Sequence, residues 1–313
     1  MAQGRLNEAR GDFEQVRAAQ PSNPQVWLAL TEIYAMQKDE VPRKTAAQHA
    51  VDLAHAANGW ESSAPVRNYL GKVYLANAEF QRAIGEYREA VRLGPYEESY
   101  RFDLAQAFLG HEEFAQAAEV LEDAHKVFDR SAQIELALGV AYYGERRFPD
   151  AVNSFLRTIE LAPEVAQPYV FLGKMLDQAG DRLPEIERRF AEFQNANPEN
   201  PTAYLLRAKA MAAAGEDAAE IEKLLRKSIA LKNDGWESHY ELGVLLEGKR
   251  DFAGAAAELE RSTKLNPEVA ATHYHLARVY DRMQRPQDAA RERAKHEELT
   301  AREKVTAGME PVR

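Results

Sequence analysis

From Ala132 to Glu164 the chain reads AQIELALGVAYYGERRFPDAVNSFLRTIELAPE. Apolar residues in its first half, Ile134, Leu138 and Tyr142, fall at helical spacing, with the small residue Gly139 among them. The pattern breaks over Gly144 to Arg147. A second apolar stripe follows with Phe148, Ala151, Phe155 and Ile159, closed by Pro163. This spacing predicts two helices joined by a tight turn. Shifting the chain against itself by about 34 residues returns the same columns along nearly its whole length. The predicted fold class is therefore all-α, built from tandem antiparallel helix-turn-helix repeats.

Full repeats are predicted near 24–63, 64–97, 98–131, 132–165, 166–200, 201–235, 236–269 and 270–303, after a half repeat at 1–23 and before a tail at 304–313. The chain from 1 to 313 reads as one continuous stack, because repeats share a core of no fixed size. In the half repeat Ala9, Phe13 and Val16 match Ala151, Phe155 and Thr158, and Pro21 matches Pro163. The 24–63 repeat is longer, with its excess expected around Lys38 to Lys44 and Asn58 to Ser63. The 166–200 and 201–235 repeats each carry one extra residue between their helices.

Each column has a physical task. Leu30, Leu70, Leu104, Leu138, Leu172, Leu242 and Leu276 are expected to fill the space between paired helices. One position later stand Gly71, Ala105, Gly139, Gly173, Ala208, Gly243 and Ala277. Glycine costs about 1 kcal/mol against alanine inside a helix, so its recurrence implies another backbone pressed close. Ala83, Ala117, Ala151, Ala255 and Ala289 supply a matching small surface, while Tyr87, Leu121, Phe155, Phe190, Leu225 and Leu259 are expected to pack against the next repeat. Pro95, Pro163, Pro198 and Pro267 stop the second helix, since proline disfavours helical geometry in the residue before it. Arg207 interrupts the leucine column, and Asp129 and Asn233 stand in for the closing proline.

These columns resemble the tetratricopeptide repeat family over nearly all of the chain. The resemblance implies a right-handed α-solenoid superhelix whose first helices line a concave face that binds peptide segments of partner proteins. Some family members grip a C-terminal carboxylate with Lys and Asn, then Asn, then Lys and Arg, across three repeats. The matching first pairs here, Asn68 with Lys72, Leu136 with Val140 and Val170 with Lys174, lack that order, so the chaperone-tail function is not carried over.

Composition narrows the partner. A formal charge of -10 and a pI near 5.4 argue against non-specific nucleic-acid binding, which rests on neutralising phosphates. The absence of cysteine excludes disulfides, thiolate metal sites and cysteine nucleophiles. No apolar run approaches the roughly 20 residues of a membrane helix, and the opening MAQGRLNEARGDF is too charged for a signal peptide. The chain reads as soluble, with no compartment selected.

Motifs with chemistry are weak. Gly243 to Lys249, GVLLEGK, follows most of the phosphate-loop pattern, but Arg250 replaces the hydroxyl residue and the stretch falls on a helix. His273 and His275 flank Tyr274, yet two residues apart on a helix their side chains diverge. His239 and His273 share a column with Trp27 and Tyr169, so packing between helices is their expected role. His111, Glu112 and Glu113 lack the second histidine of a zinc-protease motif. Neither catalysis nor a metal or cofactor is predicted.

If the leucine and glycine columns face inward, positions two before each leucine, and two and five after it, form a neighbouring stripe. It reads Leu28, Glu32, Ala35; Asn68, Lys72, Leu75; Phe102, Gln106, Leu109; Leu136, Val140, Tyr143; Val170, Lys174, Asp177; Leu205, Lys209, Ala212; Tyr240, Val244, Glu247; and Tyr274, Arg278, Asp281. Its middle is apolar, and Lys72, Lys174, Lys209 and Arg278 flank it. Lys174 with Asp177, and Arg278 with Asp281, are spaced to pair within their helices. The predicted function is a protein-interaction scaffold whose groove takes an amphipathic helix or an extended apolar peptide.

Two other readings stay open, a recognition arm of a larger enzyme and a self-association module. The last helix, about Gln287 to Lys304, places Arg293 at an apolar position and has the polar outer surface of a cap. Ala9, Phe13 and Val16 are expected to leave an apolar stripe uncovered. Upstream residues lost from the chain, a second copy or a partner would each cover it.

Overall fold

The computed structural model describes residues 2–232 and 234–308, so Asn233 and residues 309–313 of the predicted tail lie outside it. The chain divides into two compact units, Met1–Leu161 and Ala162–Arg313. In the first, α1 (Ala2–Ala19) precedes four hairpins: α2 (Pro24–Met36) with α3 (Glu40–His55), α4 (Ala64–Ala76) with α5 (Phe80–Leu93), α6 (Glu98–Gly110) with α7 (Phe114–His125), and α8 (Ala132–Gly144) with α9 (Phe148–Leu161). Second helices α3, α5 and α7 also pack on the first helix of the following hairpin, and α2, α4, α6 and α8 lie side by side. The second unit contains α10 (Gln167–Lys174), α11 (Leu183–Ala196), α12 (Pro201–Ala213), α13 (Ala218–Leu231), α14 (Trp236–Gly248), α15 (Phe252–Leu265), α16 (Ala270–Arg282) and α17 (Pro286–Gly308). There α10, α12, α14 and α16 are the neighbouring first helices.

One turn motif recurs inside the hairpins. Lys38 is left-handed, with φ 58°; its N–H donates to Ala35 O at 3.0 Å, and Asp39 N–H donates to Tyr34 O at 2.9 Å. Those bonds satisfy carbonyls orphaned at a helix end, the Schellman arrangement. The same pair of bonds closes the turns at Ala78, Glu112, Arg146, Arg250 and Gln284, with φ between 58° and 64°. In the two repeats with an extra residue, Gly180 and Gly215 take the left-handed position. Because the turn after α2 has this standard length, the excess of the 24–63 repeat falls wholly after Glu40, in a longer α3 and a 3-10 turn at Trp60–Ser62. The pattern's placement of part of it around Lys38 to Lys44 is corrected accordingly.

The small column marks the closest approach. A Cβ on Gly71 would lie 2.6 Å from the Tyr87 ring, one on Gly139 2.6 Å from Phe155, and one on Gly243 2.6 Å from Leu259. The large second-helix residue thus packs on the small residue of its own hairpin, where the columns alone place it against the next repeat. Gly173 differs, because a Cβ there would collide with Leu206 of α12. Arg207 occupies the leucine column and turns its guanidinium to Gln194 Oε1 at 2.6 Å, so Leu206 supplies the apolar contact instead. Here α10 ends after 8 residues, and buried Met175 leads into 3-10 turns at Leu176–Gln178 and Gly180–Arg182.

A hydrogen-bond column ties the hairpins together. Near the start of the first helices, a side-chain donor reaches the carbonyl six residues back. Trp27 Nε1 donates to Pro21 O (2.7 Å), Arg67 Nε to Glu61 O (3.1 Å), Tyr169 Oη to Pro163 O (2.9 Å) and Tyr204 Oη to Pro198 O (2.9 Å). His273 fills the same place, with Nε2 3.0 Å from Pro267 O and Nδ1 2.6 Å from Glu292. Its burial is structural, as its column predicts. Glu135 stands in the same column but makes no such bond among the described residues; it is buried and meets His125 of α7 at 2.7 Å.

Gly139→Ala recovers about 1 kcal/mol of helix propensity but overpacks Phe155, at a cost of about 1–3 kcal/mol. The expected net loss is about 1 kcal/mol in urea unfolding, with Phe155→Leu in the same chain relieving it. A Gly139→Ala protein as stable as the parent would show slack between α8 and α9.

Candidate functional site

With the leucine and small columns turned toward the second helices, the predicted stripe falls on the outward side of the first helices. In the first unit Leu75, Phe102, Leu109, Leu136, Val140 and Tyr143 are half-buried, Gln106 and Glu32 are exposed, and Leu28 and Asn68 are buried. Asn68 Nδ2 donates to Asp103 Oδ2 at 2.8 Å, and Lys72 Nζ approaches the same oxygen at 2.9 Å. The Asn68 amide therefore supports this face from beneath, and Asp103 fixes the direction of Lys72. The Tyr143 ring meets Phe148 edge-on, with centroids 6.0 Å apart.

In the second unit Val170 is 38% exposed and Tyr274 45%. Lys174, Asp177 and Arg278 are exposed, Lys209, Tyr240 and Val244 half-buried, and Leu205 buried. The pairs expected within helices do not form. Arg278 binds Glu247 of α14 at 3.1 Å, and Asp281 accepts from Arg293 of α17 at 2.6 Å. Since α10 stops at Lys174, Asp177 no longer lies one helical turn beyond it; Gln178 donates to Asp177 at 3.1 Å, and Lys174 Nζ stands 5.9 Å from the Phe171 ring centre.

Two clefts open on this side of the second unit. The larger, about 840 Å³, lies where α10 breaks and is lined by Lys174, Asp177, Lys209, Tyr240 and Glu241. Burial holds the half-buried Glu241 carboxyl above its ordinary value of 4.5; Lys209, at 3.8 Å, opposes the shift and Glu237 adds to it. The smaller, about 460 Å³, is lined by Glu247, Arg250, Arg278 and Arg282.

A sequence profile for the tetratricopeptide repeat matches residues 1–41, 102–166 and 240–295, just over half of the chain. The chain belongs to the tetratricopeptide repeat family. No curated protein matches its sequence at a significant level. Solved structures of similar fold include a chain of the APC/C hetero-tetramer Cut9–Hcn1, at 11% identity and TM-score 0.54, covering 96% of this chain and 57% of that one. A tetratricopeptide repeat protein from Parabacteroides merdae gives 14% identity and TM-score 0.52, covering 82% and 98%. Yeast Tom70 gives 14% and 0.50, covering 95% and 82%. At these identities the likeness concerns the fold. The chain spans less than two thirds of the length of the Cut9–Hcn1 chain. No helix among the described residues is long and apolar enough to cross a membrane.

The stripe omits the residues that organise its charges. Asp103, Glu241 and His275 each stand one position before the column leucine, and each reaches back to the preceding first helix, at Lys72, Lys209 and Glu247 respectively. The signal was present, since other tetratricopeptide repeats of this chain place Ala29, Ala137, Phe171 or Leu206 there.

Glu241 carries a pH prediction. Its folded pKa is raised, so the fold favours the protonated carboxyl. That contribution is fully present below the ordinary value of 4.5 and is lost as pH rises through the folded value. The expected result is that Glu241→Gln gains stability relative to the parent between pH 4 and pH 7, measured by urea unfolding at each pH. Parallel curves would show that the carboxyl is not penalised by the fold.

Proposed function

We propose that the outward side of α4, α6 and α8 binds an amphipathic helix or an extended apolar segment of a partner protein. Phe102, Leu109, Leu136, Val140 and Tyr143 supply the contacts. The observation that supports this is their shared half-burial on adjacent first helices, with Gln106 open to solvent among them. A contiguous apolar surface of that kind marks interaction sites. Lys72, held by Asp103, flanks it and favours an acidic group on the ligand. In the second unit Val170, Lys174, Lys209, Tyr240, Tyr274 and Arg278 form the corresponding face of that unit.

Covering about 400 Å² of apolar surface contributes roughly 10 kcal/mol gross at about 25 cal/mol/Å². Lost translational freedom and side-chain ordering reduce this to micromolar affinity. Leu136→Glu combined with Tyr143→Ala is expected to abolish partner capture in affinity pull-downs read by mass spectrometry, with helical circular dichroism unchanged. Undiminished capture by that protein overturns the groove.

Self-association through α1 is a second reading, supported by Val16, 38% exposed, beside half-buried Phe13. Light scattering of the protein and of a Phe13→Glu variant tests it. Monomers in both cases rule it out.

A further inference from the structure

The charged side chains of the second unit are mostly matched. Arg285 pairs with Asp288, Arg293 with Asp281, and Arg302 with Glu268. In the cleft of about 460 Å³ between α14 and α16 several cations instead share one concavity. Three guanidiniums line it, from Arg250, Arg278 and Arg282, against the single carboxylate of Glu247. Among the described residues, Glu247 contacts Arg278 at 3.1 Å and His275 at 2.7 Å, and no carboxylate lies within ion-pair distance of Arg250 or Arg282. The acids next to them in sequence are engaged elsewhere: Asp251 Oδ1 accepts from Gly254 N–H at 3.0 Å, and Asp281 is held by Arg293. An excess of two positive charges in one concavity is notable in a chain of net charge -10.

We propose that this cleft binds a phosphate monoester, carried as phosphoserine or phosphothreonine on the partner segment; this rests on reading the first-helix faces as peptide-binding surfaces. A phosphoryl group carries about -1.5 to -2 at pH 7, which matches the excess, whereas a carboxylate neutralises half of it. Guanidinium forks bind phosphate oxygens in bidentate fashion. The framework holds its arginines from different elements. Arg250 stands at the left-handed position of a Schellman turn, with φ 62°, and Glu247 orients Arg278 from below. Val244 and Phe252 give the same cleft an apolar wall for the aliphatic part of the phosphorylated residue. The net charge of -10 disfavours a nucleic acid as the phosphate source, because non-specific nucleic-acid binding rests on neutralising many phosphates.

The test uses the full chain and a dye-labelled peptide of alanine and leucine containing one phosphoserine, compared by fluorescence anisotropy with its serine and glutamate counterparts. The phosphoserine peptide is expected to bind about tenfold or more tightly than either, with phenyl phosphate competing. Arg250→Ala with Arg282→Ala is expected to erase the difference. Both side chains are exposed, so the helical fold is kept. Without any variant, phenyl phosphate is expected to shift the arginine Nε–H resonances of this cleft in NMR spectra. Equal binding of the serine or glutamate peptide, no binding of the phosphoserine peptide, or tighter binding of a single-stranded oligonucleotide overturns the proposal. Loss of partner capture by Leu136→Glu with Tyr143→Ala reports on the first unit without phosphate, so the two readings fail separately.

Discussion

Where Phe155 meets Gly139 and Tyr87 meets Gly71, no Cβ stands between the second helix and the first backbone. Glycine in a helix forfeits about 1 kcal/mol, while full burial of a large aromatic or aliphatic side chain contributes about 1.5–3 kcal/mol. Packing outweighs propensity, so the column is kept. The close crossing turns the leucines inward and leaves the opposite side of each first helix to face outward. The candidate binding surface is therefore a by-product of how the hairpins close.

Local ties then make each hairpin reproducible. The Schellman bonds end every standard first helix in the same way, and they impose a left-handed residue even where the side chain is Lys, Glu, Arg or Gln. Such a conformation costs about 1–2 kcal/mol outside glycine, which the two satisfied carbonyls and the burial that follows offset. Only in the two repeats with a longer connection does glycine take the position.

The hairpin order was legible because leucine and glycine columns recur at the repeat length, and a period compares each residue with its counterpart. It carries no information about which side chain reaches across to a neighbour. Hence Asp103 holding both Asn68 and Lys72, and Arg278 choosing Glu247 over Asp281, emerge only from the packed helices. The contact of Leu206 with Gly173 has the same origin. Arg207 was visible as an interruption, but its consequence depends on Leu206 entering the space at Gly173. The outward stripe was legible in position and less so in availability, since Leu28, Asn68 and Leu205 fit the spacing yet are buried.

The hydrogen-bond column near the start of the first helices has a wider consequence. Most joints between hairpins use an indole, phenol, guanidinium or imidazole reaching a carbonyl, whereas the α7–α8 joint uses the carboxylate–imidazole contact of Glu135 with His125. Repeat arrays open locally, neighbour by neighbour, and not all at once. Joints fastened by different chemistry then yield to different conditions, so otherwise similar hairpins acquire positions that can be loosened individually.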